Sequence, residues 1–191
     1  MRQNSLFLFF FLLVSFSVAA QDASEKNFSV EASYPKSIND GFLSDGVIDL
    51  GLKYRFADLK AIKLGVGING SLFTDNDEDN ASGNPTKTKN YFIQPRIFGE
   101  FTIKGAEKLK PSIGIGYSFV NSKIEGISRI VGDYKYTFDN NGFDLNLGTS
   151  YDITKSFFAQ IQYDLIFLGD NNGAYRINEF STLKLGVGFR F

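Results

Sequence analysis

Apolar and polar residues alternate with a period of two along most of this 191-residue chain. Such alternation predicts β-strands that present one face to an apolar environment and the other face to a polar one. In the clearest segment, Ile62, Leu64 and Val66 share a face, and Lys63 and Gly65 lie on the other. Eight segments follow the pattern: residues 28–34, 48–56, 62–72, 91–103, 112–119, 143–151, 159–167 and 183–191. We therefore expect an all-β chain with eight strands.

The connections between these segments alternate in length. Three are short, at residues 57–59, 104–110 and 153–156, and four are long and polar, at residues 35–46, 74–90, 121–141 and 169–180. Short turns at one end and long loops at the other are typical of antiparallel up-and-down barrels that span the outer membrane. Because the number of strands is even, we expect both ends of the chain on the periplasmic side, with the short turns.

The first residues have the composition of a secretory signal peptide. Arg2 precedes an apolar run at residues 6–14, and Val18 and Ala20 fit the −3 and −1 positions of a cleavage site. The alternative is an N-terminal membrane anchor, but this run is too short to cross a bilayer. We expect residues 1–20 to be a signal peptide and residues 21–191, beginning at Gln21, to form the barrel domain.

The composition excludes several classes of function. The chain has no Cys and no His, and its formal net charge is −1. Without Cys it cannot form a disulfide scaffold or a Cys-based zinc site, and without His it lacks the commonest general base. It also lacks the basic charge that a nucleic-acid-binding surface needs. We expect no enzymatic activity, no cofactor and no nucleic-acid partner.

Two features of the polar face distinguish a membrane barrel from a soluble, lipocalin-like barrel, whose apolar face points inward. The first is Gly, which weakens exposed strands but leaves room for large neighbours inside a narrow barrel; it occurs at Gly51, Gly65, Gly67, Gly114, Gly116, Gly148, Gly186 and Gly188. The second is charge, which nearly balances, as a closed interior requires. We expect an ion-pair network in the lumen, formed by Lys53, Arg55, Lys63, Arg96, Lys184, Arg190, Glu31, Asp49, Glu100, Asp144 and Asp164.

Aromatic residues gather near the ends of the predicted strands. Trp and Tyr, and more generally aromatic rings, form girdles at the two membrane–water interfaces of such barrels. We expect the girdle residues to be Tyr34, Tyr54, Phe56, Phe73, Tyr91, Phe101, Tyr117, Phe119, Phe143, Tyr151, Phe157, Phe167 and Phe189.

The last segment, Lys184-Leu185-Gly186-Val187-Gly188-Phe189-Arg190-Phe191, ends on an aromatic residue. With this terminus and its eight strands, the chain resembles the small outer-membrane β-barrel proteins of Gram-negative bacteria, of the OmpA and OmpX type. The resemblance implies that the barrel-assembly machinery recognises the terminal strand, through Lys184, Gly186, Phe189 and Phe191. It also implies a place in the outer membrane, in contact with its lipid and with lipopolysaccharide.

Two stretches depart from a regular pattern. Pro95 lies in the middle of the fourth strand, where it cannot donate a ladder hydrogen bond, so we expect a bulge or a local shift there. In the third long connection, residues 133–138 (DYKYTF) can extend the sixth strand beyond the membrane.

The candidate chemical sites in the sequence are weak. Asp75, Asp77 and Asp79 begin like a calcium loop, but the Gly and Glu that complete such a loop are absent, which favours a solvated acidic loop. The interior acids face interior Lys and Arg and are better explained as ion pairs than as catalytic groups. The sequence thus predicts a structural, adhesive or partner-binding protein of the envelope that acts through its four external loops. A small passive pore of the porin family is the alternative.

Overall fold

The computed structural model describes residues 26–38, 46–77, 86–128, 132–169 and 179–191. The predicted signal peptide lies outside these residues. The described part forms eight strands: β1 (Phe28–Ser37), β2 (Gly46–Asp58), β3 (Ile62–Asp77), β4 (Thr86–Phe101), β5 (Leu109–Ser128), β6 (Gly132–Asp152), β7 (Phe157–Leu168) and β8 (Glu179–Arg190). It contains no helix long and apolar enough to cross a membrane.

Each strand pairs antiparallel with its neighbours in the chain, and β8 pairs with β1 to close the barrel. The backbones of Phe28 and Phe191 complete this closure, because each amide donates a hydrogen bond to the other residue's carbonyl, at 3.1 and 3.0 Å. Short turns join the strands at one end of the barrel, which we call the turn end, and the long connections leave from the other, the loop end. The predicted eight-stranded, up-and-down architecture is confirmed.

The side chains alternate between an apolar outside and a polar inside. On the outside, Ile115 is 64% exposed and Phe143 is 72% exposed. On the inside, the side chains of Asp49 and Asp164 are fully buried. A soluble barrel would have the opposite arrangement, with its apolar face in the core. The exposed apolar face instead matches the apolar band that a membrane barrel presents to lipid.

The strands run further at the loop end than the sequence predicts. Strand β1 continues to Ser37, β3 continues to Asp77 and β4 begins at Thr86. The largest difference is the connection expected at residues 121–141, most of which is a β-hairpin with strands that end at Ser128 and resume at Gly132. Residues 133–138 therefore do extend the sixth strand.

Pro95 causes no register shift, so the expected bulge is absent. On the β3 side, Pro95 is paired with Ile68 in an unbroken register. On the β5 side, pairing lapses after Ile93↔Phe119 and resumes in the same register at Arg96↔Gly116. The neighbouring Gln94 side chain bridges the gap with a 3.0 Å hydrogen bond to Ser118, which supplies a link where the ladder has none. The register shifts that do occur lie between β2 and β3.

Candidate functional site

Five buried charged side chains form one connected group in the loop-end half of the lumen. Arg96 contacts Asp144 through Nε at 2.6 Å and Asp164 through Nη2 at 2.9 Å. Lys184 Nζ lies 2.9 Å from the same Asp164 carboxylate and 2.6 Å from Asp49. We call Asp49, Arg96, Asp144, Asp164 and Lys184 the loop-end cluster. Their side chains are almost completely buried, so these ion pairs are shielded from bulk water.

Neutral polar side chains donate further hydrogen bonds to the three aspartates. Ser118 donates to Asp144 at 2.9 Å, and Asn146 donates to Asp164 at 2.6 Å. Asp49 accepts hydrogen bonds from Asn69 at 2.9 Å and from Ser71 at 2.5 Å. A buried carboxylate is stable only when its oxygens are paired in this way. Because three acids face two bases here, the neutral donors replace the missing third cation.

A second group of charges lies nearer the turn end, and we call Glu31, Lys53, Arg55, Glu100 and Arg190 the turn-end cluster. Arg55 binds Glu100 with two nearly parallel hydrogen bonds, at 3.2 and 2.8 Å. Lys53 pairs with Glu31 at 3.0 Å, and Arg190 approaches Glu100 at 3.5 Å. The structure thus brings ten of the eleven sequence-predicted lumen charges together in two adjoining groups.

The eleventh residue, Lys63, takes a different partner from those predicted. Its ammonium lies 3.0 Å from Asp58 at the rim of the turn end, where both side chains are partly exposed. Asp152 is a second acid that the sequence analysis missed, and it pairs with Lys110 at 3.0 Å and with Arg190. Asp58 is the last residue of β2 and Asp152 is the last residue of β6. At the end of a strand, the alternation of apolar and polar residues does not indicate to which face a side chain points.

Two phenylalanine rings fill the turn-end half of the lumen. The Lys53 ammonium and the Arg55 guanidinium lie 5.5 and 5.7 Å from the centre of the Phe98 ring. The Arg190 guanidinium lies 4.1 Å from the centre of the Phe158 ring. Such cation–π contacts stabilise a cation that is removed from water. Glycine makes the room, because a Cβ would lie 2.5 Å from Phe98 at Gly65 and 2.2 Å from Phe158 at Gly188.

Apolar side chains close the lumen above the loop-end cluster. The rings of Phe73, Phe92 and Phe180 pack edge to face, with both centroid distances 5.2 Å. With three aliphatic neighbours they form a continuous buried group, which we call the apolar layer: Phe73, Phe92, Val120, Ile166, Leu168 and Phe180. Phe73 is therefore not a girdle residue, as the sequence analysis expected, but is 1% exposed and points inward. The layer separates the buried charges from the loop end.

The sequence contains a signal for the apolar layer. In several strands, the alternation breaks near the loop end, where apolar residues follow one another, as in Leu72-Phe73 and Phe119-Val120. Since successive side chains of a strand point to opposite faces, one member of each such pair must point into the lumen. An interior that is polar throughout would not produce these pairs.

Four strands, β3 to β6, continue past the loop end of the barrel, and we call this extension the external sheet. Thr86 of β4 pairs with Asp77 of β3 on one side and with Gly126 of β5 on the other. Strand β6 extends along β5 to the tip of the hairpin, but it pairs with β7 only from Gly142 onward. Among the described residues, segment 132–138 of β6 thus has a paired strand on one edge only.

These features are shared with a known class of protein. The sequence model of the family described as "Outer membrane protein beta-barrel domain" matches residues 8–191. The chain belongs to this family. Its place is therefore the bacterial outer membrane, where the turn end faces the periplasm and the loop end faces the exterior. No curated protein matches the sequence.

Solved structures of outer-membrane barrels have the same fold. The attachment invasion locus protein Ail of Yersinia pestis is 16% identical, with a TM-score of 0.59, over 87% of this chain and 100% of Ail. A major outer membrane protein of Thermus thermophilus is 13% identical, with a TM-score of 0.65, over 86% of this chain and 99% of that one. The N-terminal barrel of Pseudomonas aeruginosa OprF is 16% identical, with a TM-score of 0.52, over 87% and 98%.

The weak calcium candidate falls at the edge of the described residues. Asp75 ends the described side chains of β3, the backbone alone is described for Asp77, and Asp79 lies outside the described residues. The described side chains contain no group of acidic residues that could hold a metal ion.

The residues of the predicted assembly signal occupy both faces of β8. Lys184 belongs to the loop-end cluster, and Gly186 faces inward, where a Cβ would lie 2.1 Å from the Ser33 hydroxyl. Phe189 and Phe191 face the lipid and stack on each other with centroids 6.4 Å apart. Phe191 also stacks on Phe28 of β1, at 6.0 Å.

Proposed function

We propose that this outer-membrane protein is not an enzyme and that it binds an extracellular protein partner through its external sheet. The observation that carries the proposal is the edge of β6 at residues 132–138, which extends beyond the barrel and, in the part of the chain that the structure describes, has a paired strand on one side only. This segment is roughly 23 Å long, at about 3.3 Å per residue. An edge of that length is a template for an added strand.

The side chains along this edge favour a polypeptide partner. Tyr134, Tyr136 and Phe138 form a row of rings on one face, with neighbouring centroids 5.5 and 6.3 Å apart. Tyr136 is 54% exposed and Phe138 is 49% exposed. In strand addition, backbone hydrogen bonds supply affinity and contacts with alternate side chains supply specificity. The partner class is therefore a protein with an extended segment that carries apolar side chains at alternate positions.

Removal of the hairpin tests this proposal. We expect a variant in which residues 123–137 are replaced by an Asn-Gly turn to insert normally, because the barrel pairing below Gly142 is unchanged. Bacteria that produce it should adhere to matrix-coated surfaces or host cells no better than bacteria without the protein. The matched control is a shortening of residues 39–45, the connection between β1 and β2 in the chain, which should leave adhesion intact. Undiminished adhesion by the hairpin variant would contradict the proposal.

The alternative function, a small passive pore, requires a water-filled path through the lumen. Two charged clusters, the Phe98 and Phe158 rings and the apolar layer all occupy that path. A permanent pore is disfavoured for this reason, and its test closes the Discussion.

We further propose that the outer face of the external sheet contacts lipopolysaccharide through phosphate. Lys89 of β4 and Lys123 of β5 are paired directly opposite each other. The Lys123 ammonium lies 5.3 Å from the centre of the Tyr91 ring, which is two residues along β4 from Lys89. Like charges in this position repel unless an anion lies between them. Glu125, two residues beyond Lys123 on β5, binds Lys135 at 2.5 Å, and this hydrogen bond lowers the pKa of the Glu125 carboxyl. A lipid phosphate at the membrane surface would neutralise the lysine pair.

The lysine pair can be tested with purified lipopolysaccharide. In detergent, lipopolysaccharide should raise the thermal midpoint of the wild-type protein more than dephosphorylated lipopolysaccharide does. We expect the double variant Lys89→Gln/Lys123→Gln to bind about thirtyfold more weakly, because each lysine near an anionic surface contributes about 1 kcal/mol. The control, Lys87→Gln/Lys135→Gln, removes two lysines that flank Glu125 and should bind nearly normally. Equal binding by the two double variants would count against the lysine pair.

We also propose that the barrel-assembly machinery recognises the last strand through Lys184, Gly186, Phe189 and Phe191. Support comes from the position of Phe191, whose backbone forms the last pair of the seam between β8 and β1. Phe191 is thus placed where the barrel closes, and there it could contact the assembly machinery.

A further inference from the structure

Exposed lysines are concentrated in the three short turns at the turn end of the barrel. We call them the rim lysines: Lys60 between β2 and β3, Lys104 and Lys108 between β4 and β5, and Lys155 between β6 and β7. The four long connections, in contrast, contain more acids than bases. The excess of positive charge is therefore specific to the periplasmic end of the protein.

The acids of the short turns do not neutralise the rim lysines. Asp58 pairs with Lys63, and Asp152 pairs with Lys110, both at 3.0 Å. The remaining acid of these turns, Glu107, accepts a hydrogen bond from a backbone N–H of its own turn, also at 3.0 Å. Within the part of the chain that the structure describes, the rim lysines thus have no ion-pair partner and leave a net positive surface.

Backbone hydrogen bonds join the three turns into one continuous surface. The Thr102 N–H donates to the Ala61 carbonyl at 2.9 Å, which links the turn of β2 and β3 to the turn of β4 and β5. The Asp152 N–H donates to the Lys108 carbonyl at 2.9 Å, which links the latter turn to that of β6 and β7. The rim lysines therefore belong to a single stretch of the periplasmic rim.

The same order of side chains recurs in each of the three turns. An exposed aromatic residue near the end of the strand is followed by an exposed aliphatic residue and then by a rim lysine: Phe56, Leu59 and Lys60; Phe101, Ile103 and Lys104; Tyr151, Ile153 and Lys155. Apolar side chains at a membrane interface are stabilised by lipid, and a neighbouring lysine extends its ammonium to the headgroups. A surface that binds a soluble polyanion needs no such apolar neighbours.

We propose that the turn end binds anionic phospholipid headgroups in the inner leaflet of the outer membrane, through Lys60, Lys104, Lys108 and Lys155. A phosphate diester with a net negative charge, as in phosphatidylglycerol, complements ammonium groups that have no acid of their own. A zwitterionic headgroup brings its own cation and is a poorer partner. This site is separate from the lipopolysaccharide contact proposed above, which lies at the loop end, and it does not depend on a protein partner of the external sheet.

Mixed micelles test whether the rim lysines recognise the lipid charge. The thermal midpoint of the refolded protein is measured as phosphatidylglycerol replaces phosphatidylcholine of the same chain length. A ligand that binds the folded state raises the midpoint, so we expect a saturable rise for the wild type. For Lys60→Gln/Lys104→Gln, the fraction of phosphatidylglycerol that gives half of this rise should increase about fivefold or more, the change expected from even one lysine near an anionic surface.

The matched control is Lys87→Gln/Lys135→Gln. It removes the same charge from two exposed positions of the external sheet, beyond the loop end of the barrel. We expect this variant to respond to phosphatidylglycerol as the wild type does. The proposal is overturned if the wild type shows no rise, or if the two double variants require the same fraction of phosphatidylglycerol.

Two further measurements separate a lipid from other anionic partners in the periplasm. Glycerol 3-phosphate supplies the phosphate without the acyl chains and should leave the midpoint unchanged at the same total concentration. Purified peptidoglycan supplies carboxylates, and wild-type protein should sediment with it no more than Lys60→Gln/Lys104→Gln does. Equal stabilisation by glycerol 3-phosphate, or sedimentation with peptidoglycan that depends on the two lysines, would assign the rim to a different ligand and overturn the proposal.

Discussion

Replacement of Arg96 by Met should lower the free energy of unfolding by about 3–5 kcal/mol, as measured by urea titration in lipid vesicles. Arg96 is the only base that contacts Asp144 among the described residues, and it shares Asp164 with Lys184. Both carboxylates are completely buried, so neither can be solvated when its partner is lost. An uncompensated buried charge is costly, and its cost exceeds the net contribution of the intact pair.

Two further variants separate this cause from a loss of packing. Lys63→Met, which breaks the partly exposed pair with Asp58, should cost no more than about 1 kcal/mol. The triple variant Arg96→Met/Asp144→Asn/Asp164→Asn leaves Lys184 paired with Asp49 and should recover much of the lost stability. If Arg96→Met costs no more than Lys63→Met, the loop-end cluster is solvated rather than dry.

Deletion of Phe191 should reduce assembly in cells far more than it reduces stability. Loss of the ring removes about 1.5–3 kcal/mol of burial at most, together with two backbone hydrogen bonds at the end of the seam. A closed barrel tolerates such a loss, so refolding into detergent should be nearly normal. In cells, we expect unfolded protein to accumulate in the periplasm, which fractionation and heat-dependent gel migration would detect.

Phe28→Ala is the matched control for this deletion. Phe28 stacks on Phe191 from the other side of the seam, so its loss disturbs the same aromatic row without changing the C-terminus. We expect this variant to lose similar stability in detergent and to insert normally in cells. If the Phe191 deletion also inserts normally, Phe191 is an ordinary girdle residue and is not part of an assembly signal.

The period-two alternation was sufficient to predict the strands and their lipid-facing side. A strand that lies between lipid and a narrow polar lumen must alternate, and Val66 and Gly67 are an example of the two faces. The predicted strand ends were less accurate at the loop end. Most of residues 121–141 form a β-hairpin outside the membrane, where no lipid requires one face of a strand to be apolar. Lipid contact and strand pairing are separate constraints, and only the first gives a clear signal in the sequence.

The partners of the charged residues could not be predicted from the sequence. Arg55 on β2 binds Glu100 on β4, and Lys184 on β8 binds Asp49 on β2, so the pairs cross the lumen between strands that are not neighbours. These contacts depend on the stagger of the closed barrel, which the order of residues does not reveal. The apolar layer was missed for a different reason, because a uniformly polar interior was assumed and Phe73 was assigned to the girdle.

A sealed lumen and an external sheet together favour binding at the surface over transport. The charged clusters fill the barrel from the periplasmic side, and the rings of Phe73, Phe92 and Phe180 cover them from outside. Water and ions would have to cross both regions. The external sheet, in contrast, offers a strand edge and a row of exposed rings to other molecules.

Conductance across a planar lipid bilayer tests the sealed lumen most directly. Purified wild-type protein is refolded and inserted at single-molecule density. We expect rare small openings but no sustained current, either under a salt gradient or during a voltage ramp. A steady, ion-selective current through the wild-type protein would contradict the sealed lumen and would establish the pore as its function.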